Sequence, residues 1–111
     1  MNWYKIAQTE QHIIFNANNL LQVEIEGYAI CIAKYKQQLI AFAAKCPHAS
    51  AALVNGHIDA LGNIVCPLHY YKFNALPSKN ETAKEYYLKK YAVEVRIDGV
   101  FIGLKKNNTN I

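Results

Sequence analysis

Four residues of this chain have the types and the spacing to hold metal. Cys46-Pro47-His48 is followed, after seventeen intervening residues, by Cys66-Pro67-Leu68-His69, so each short segment offers one thiol and one imidazole. Thiolate and neutral imidazole are donors that suit iron–sulfur clusters and zinc. The mixed pairing carries information, because a zinc finger usually groups two cysteines together and two histidines together. Two readings stand at this point. One is a pair of unlike irons, one taking both cysteines and the other both histidines. The other is a structural Cys₂His₂ zinc module acting in protein interactions.

The ligand set resembles that of the Rieske [2Fe-2S] ferredoxin family, where two histidines replace two cysteines on one iron. The likeness extends to Cys46-Pro47-His48-Ala49-Ser50-Ala51-Ala52-Leu53 and to Ile64-Val65-Cys66-Pro67-Leu68-His69-Tyr70-Tyr71-Lys72-Phe73, which are similar to the family's two cluster loops. The resemblance implies one [2Fe-2S] cluster per chain, with Cys46 and Cys66 on the inner iron and His48 and His69 on the outer one. It also implies an all-β, Rieske-like antiparallel β-sandwich with a small cluster-binding subdomain over residues 44–73.

Ligand charge then sets the expected redox behaviour. Neutral imidazole supplies less negative charge than thiolate, so such centres sit at roughly −150 to +300 mV, above plant-type clusters at about −400 mV. High-potential relatives place hydroxyl donors where this chain has Tyr71 and Phe73, and a disulfide where it has Ala51 and Leu68. The low end of the range is therefore expected, with Tyr71 packed under its loop. Tyr70 and Ser50 stand where the family usually has glycine, so the backbone and its amide–sulfide contacts are expected to depart there. The stretch 80–88, which corresponds to a covering third loop, contains no proline.

The elements that must position these ligands read as short strands. With 111 residues, 52% hydrophobic and 18% charged, the chain is expected to form one domain over 1–111, with 105–111 a frayed tail. Trp3–Ile6 reads as a first strand, His12–Phe15 as a short apolar element and Asn16–Asn19 as a turn. Leu21, Val23 and Ile25 alternate with polar residues, as a half-buried strand requires. Tyr28–Ala33, running on towards Tyr35, is apolar on both faces and pairs through Lys36-Gln37-Gln38 with Leu39–Ala43. Asn55-Gly56 and Gly62-Asn63 are turn signals around Ile58 and Ile64-Val65, whose hairpin would bring the two ligand loops side by side. Tyr91, Val93, Val95 and Ile97 alternate again, and Asp98-Gly99 is a hairpin turn signal before Val100–Ile102. Thr82–Glu85 matches a capping box, read as a single helical turn or plain loop.

Several classes are disfavoured. No apolar run approaches the ~18 residues of a membrane span, and the N-terminus lacks a signal-peptide pattern, so a cytoplasmic location is expected. The net charge of +4 comes without the aromatic-and-basic pattern of nucleic-acid binding. Cys31, between Ile30 and Ile32, reads as a buried small hydrophobe. His12 and His57 fall outside the ligand spacing, and the acceptor-like Asn80 and Asn107 are incidental. The five glycines form no nucleotide-binding turn, and no two-histidine, one-carboxylate triad remains once the ligands are assigned.

The expected function is a soluble one-electron carrier between a reductase and a terminal oxidoreductase such as an oxygenase. It would not itself be an enzyme. The small Rieske subunit of a nitrite-reductase-like complex and the zinc module are the alternatives.

Overall fold

A computed structural model of the chain describes residues 1–47, 50–68, 70–74 and 88–105. Nine strands are present among them: β1 Asn2–Ala7, β2 Leu20–Ile25, β3 Tyr28–Tyr35, β4 Gln38–Ala43, β5 His57–Ile58, β6 Asn63–Val65, β7 Lys72–Asn74, β8 Lys90–Arg96 and β9 Gly99–Leu104. All pairings are antiparallel. The order β1-β9-β8-β4-β3-β2 makes one six-stranded sheet, and β5-β6-β7 makes a second of three strands. The expected all-β antiparallel architecture is what the chain adopts. Thr82–Glu85 and most of the 80–88 stretch lie outside the described residues, as does 106–111.

The large sheet is joined at its middle by only two residue pairs, Ala41 with Tyr91 and Phe42 with Lys90. It bends there, so β1-β9-β8 and β4-β3-β2 become two leaves facing one another. Between them Ile25, Ile30, Ile32, Ala41, Ile102 and Leu104 form one core, with Tyr4, Ile6 and Val93 packed against it. The other face of β3 and β4 presents Cys31, Ala33, Ile40 and Phe42 to a second core that includes Cys46, Leu53, Ile64, Cys66 and Phe73. That double burial is why Ile30 to Ala33 are apolar without alternation. Each fully buried Ile or Phe contributes about 1.5–3 kcal/mol, so β3 and β4 anchor both layers.

Strand turns differ from expectation in instructive ways. The pairing of Arg96 with Gly99 makes Ile97-Asp98 the loop, one residue earlier than the Asp98-Gly99 signal suggested. Gly99 instead opens β9 at φ 153°, where a Cβ would lie 2.9 Å from the Ala7 carbonyl oxygen and 2.7 Å from Lys5 Cε. Placing Ile97 at the turn leaves it fully exposed, and Val95 is 55% exposed, so the apolar alternation of β8 outruns the core it faces. The His12–Phe15 stretch is not a strand. A 3₁₀ turn covers Glu10–His12, after which Ile13 is buried and Ile14 exposed. Glu26-Gly27 and Lys36-Gln37 both have positive φ through the two-residue turns that flank β3.

Candidate metal centre

The cysteine loops hang from the small sheet and from the end of β4. Loop one leaves β4 through Ala44, whose carbonyl oxygen accepts the Leu53 N–H at 2.8 Å, and Lys45 bridges Ala52. Inside that frame the Cys46 N–H donates to the Ala51 carbonyl oxygen at 2.8 Å. Loop two leaves β6 at Val65, and the Cys66 N–H donates to the Tyr71 carbonyl oxygen, again at 2.8 Å. In both loops the acceptor is five residues beyond the cysteine, so the two backbones close in the same way. Antiparallel pairing of β6 with β5 and β7 then holds loop two against the segment that ends loop one.

This arrangement brings two of the four expected ligands together. Cys46 and Cys66 are buried, at 1% and 0% exposure, and both are free thiols. Both belong to the same buried cluster, with Leu53, Ile64 and Phe73. Burial pushes the Cys66 thiol above its ordinary range, and the neighbouring Cys46 thiol pushes it further; the Leu68 N–H, donating to Cys66 Sγ at 3.4 Å, pulls the other way. Two thiols stripped of water and facing each other cannot both ionise without cationic charge between them. Bound metal supplies that charge and deprotonates a coordinating thiol outright. The donor set thus fits a thiolate-bound iron. His48 and His69 lie outside the described residues, and among the described residues no three of His, Cys, Asp and Glu form a further metal-holding group.

Ser50 and Tyr70, at the usual glycine positions, take up the left-handed backbone with φ 58° and 56°. The loops keep a glycine-like path without glycine, and the Ser50 N–H closes its loop onto the Cys46 carbonyl oxygen at 2.6 Å. Tyr71 packs half-buried on the second core, its ring 5.1 Å from that of Phe73. Cys31 is fully buried, and desolvation lifts its thiol to about 12, against an opposing hydrogen bond with the Leu21 backbone. It is a core residue.

Other supports carried no legible ligand signal. Gly56 is a space requirement and not a left-handed turn: a Cβ there would lie 2.1 Å from the Val65 carbonyl oxygen and 3.2 Å from Pro67 Cδ. Asp59 Oδ1 accepts the N–H groups of Asn63 at 2.9 Å and Leu61 at 3.0 Å, and Oδ2 pairs with Lys72 Nζ at 3.2 Å. One carboxylate thereby ties β5, β6 and β7. Three reaches from the large sheet and its loops complete the mounting: Asn16 Nδ2 to the Val54 carbonyl oxygen at 3.0 Å, Asn18 Nδ2 to that of Gly56 at 3.0 Å, and Tyr35 Oη to that of Ala60 at 3.2 Å.

The family model described as Rieske [2Fe-2S] domain matches residues 2–92. No curated protein sequence matches the chain. Among solved structures, the chain is similar to the ferredoxin of carbazole 1,9a-dioxygenase from Nocardioides aromaticivorans IC177. The TM-score is 0.73 at 20% identity, over 95% of this chain and 100% of that one. A complex of reduced oxygenase and oxidized ferredoxin in carbazole 1,9a-dioxygenase matches with a TM-score of 0.68 at 24% identity, over 90% of this chain and 91% of that one. Apo dicamba monooxygenase matches with a TM-score of 0.71 at 21% identity, over 91% of this chain but only 32% of that protein. These likenesses establish a shared fold.

Proposed function

The chain belongs to the Rieske [2Fe-2S] domain family and so carries one [2Fe-2S] cluster; from that premise we propose a one-electron carrier, working in the cytoplasm between a reductase and a terminal oxidoreductase such as an oxygenase. Cys46 and Cys66 hold one iron in this reading, and His48 and His69 hold the other. Residues 44–73 act as the cluster-binding part of a single domain spanning 1–111. The observation that carries the reading is the meeting of two buried free thiols at the ends of two loops with the same backbone closure.

Bound there, such a cluster takes up and gives back one electron. The chain itself makes and breaks no bond in this role. Its burial of Cys46 and Cys66 keeps water from the thiolate side. The Leu68 N–H offers a donor to Cys66 Sγ, which stabilises negative charge on that sulfur. The carbazole 1,9a-dioxygenase ferredoxin, whose fold this chain shares over nearly its whole length, supports a partner of the oxygenase kind.

The test is the EPR spectrum of the purified protein after dithionite reduction. A rhombic signal with the low average g of a histidine-ligated pair is expected. A plant-type signal would remove His48 and His69 from the ligand set. Colourless, EPR-silent protein containing zinc would turn the function to a structural module.

A further inference from the structure

Strand β8 has a partner on one side only for most of its length. On the β9 side it is paired from Ala92 to Arg96, whereas on the β4 side pairing stops at Ala41 with Tyr91. Beyond that point β4 and β8 separate around a cleft of about 240 Å³ between residues 38–41 and 90–93. Parity along the strand fixes which main-chain groups are left over. Arg96 and Gly99 close a two-residue loop, so Arg96, Glu94 and Ala92 turn their N–H and C=O groups to β9. Val93 and Val95 turn theirs the other way, as does Lys89, whose carbonyl oxygen accepts the Ala43 N–H at 2.9 Å. Among the described residues no strand meets Val93 or Val95 on that side. Their side chains share a face with Ile97, and both Val95 and Ile97 are exposed. Proline, glycine and bulges, the usual protections of a sheet edge, are missing from 91–96.

We propose that this edge of β8 pairs antiparallel with β8 of a second copy of the chain, about a two-fold axis at Val95. Charge chooses both the partner and the register. The segment Val93-Glu94-Val95-Arg96-Ile97 is complementary to its own reverse. An axis at Val95 sets Glu94 of each copy opposite Arg96 of the other, and Val93 opposite Ile97. An axis at Glu94 or at Arg96 would instead set like charges face to face, which destabilises a strand pair. In the single chain Arg96 lies over the rings of Phe101 at 4.4 Å and Trp3 at 5.1 Å, and pairs with Glu94 at 2.5 Å. Association therefore exchanges one ion pair per chain for another. Charge sets the register, while the main-chain bonds of Val95 and apolar contact at Val95 and Ile97 supply the attraction. A two-fold pair uses up the edge, so assembly stops at two chains. β8 starts beside Phe42, near the cysteine loops, and runs away from them, so the axis leaves both metal sites open.

Sedimentation velocity of the holoprotein over a rising concentration series tests the pairing. The wild-type mass is expected to climb from 12.6 kDa towards twice that value. Glu94→Lys makes the two charges positive and Arg96→Glu makes them negative, so each variant alone is expected to stay monomeric where wild type is dimeric. An equimolar mixture of the two regains the dimer, because each copy then meets its opposite across the axis. The chain carrying both exchanges regains it alone. Wild-type EPR and circular dichroism spectra show that each variant is folded; Val95→Lys, which sets two like charges at the axis, replaces a charge variant that is not. Wild type that is monomeric at every concentration overturns the proposal and leaves the edge to a strand of another protein. A dimer that survives in the single variants, or a mixture that stays monomeric beside a dimeric wild type, overturns it equally.

Discussion

Ser50 and Tyr70 occupy the same point in two equivalent loops: each lies four residues beyond its cysteine, and each sits in the left-handed region, at φ 58° and 56°. A left-handed L-residue costs roughly 1–2 kcal/mol, and glycine recovers this less about 0.5–1 kcal/mol of unfolded-state entropy. Ser50→Gly and Tyr70→Gly are therefore expected to be stabilising by up to about 1 kcal/mol each. Thermal melts of the holoprotein measure it. A lower midpoint in either variant would mean that its side chain holds the loop.

Gly56→Ala is expected to act in the opposite direction. The added methyl meets a strand carbonyl, Val65 O, at 2.1 Å, one residue before Cys66. Backbone has to move, at a cost of about 1–3 kcal/mol. Both the melting midpoint and the iron bound per chain should fall. Full iron content with a wild-type midpoint would show that β6 is free to shift.

Asp59 makes the small sheet sensitive to acid. Hydrogen bonds from the Asn63 backbone first, then Lys72 and the other donors, lower its carboxyl from 3.8 to about 2, against some desolvation. The folded-state value is depressed, so this contribution is complete above pH 3.8 and is lost as pH falls towards about 2. Urea midpoints of wild type and Asp59→Asn should differ most near neutrality and converge through that window. A gap that does not narrow would assign the stabilisation to something other than the carboxylate.

The thiol of Cys31 behaves in the alkaline direction. Its folded value is raised from 9.0 to about 12, so the stability that goes with its neutral form is full below pH 9.0 and declines as pH rises from there. Near neutral pH the folded holoprotein should leave Cys31 unalkylated by iodoacetamide, and all three cysteines should react once the chain is unfolded. Rapid labelling of Cys31 in the folded state would show that the β3 core opens locally.

Removal of the cluster should divide the molecule along its two cores. Cys46 and Cys66 belong to the core shared with the small sheet, whereas Ile30, Ile32, Ala41 and Ile102 pack between the large leaves. Hydrogen exchange of the apoprotein is expected to rise over the cysteine loops and β5–β7 while β1, β8 and β9 stay protected. An equal rise across both regions would mean that one cooperative unit spans them.

The sequence by itself determined the strand class and marked the two Cys-and-His segments that carry the family resemblance. Those properties are local: Cys-x-His and Cys-x-x-His are read along the chain, and the alternation from Leu21 to Ile25 or the doubly apolar run from Ile30 to Ala33 reports its own burial. Only the tertiary structure decided the rest, because it depends on residues far apart in the chain. The register of β8 with β9 moved the turn to Ile97-Asp98, since strand pairing overrode the local Asp98-Gly99 signal. Glycine at 56 answers to the approach of Val65, nine positions on, and not to a turn. Ser50 and Tyr70 take a left-handed backbone inside loops closed by the Cys46–Ala51 and Cys66–Tyr71 backbone hydrogen bonds, which their own residue types do not announce. Asn16, Asn18 and Tyr35 became supports of the site through single long-range hydrogen bonds, which leave no periodic trace in a sequence.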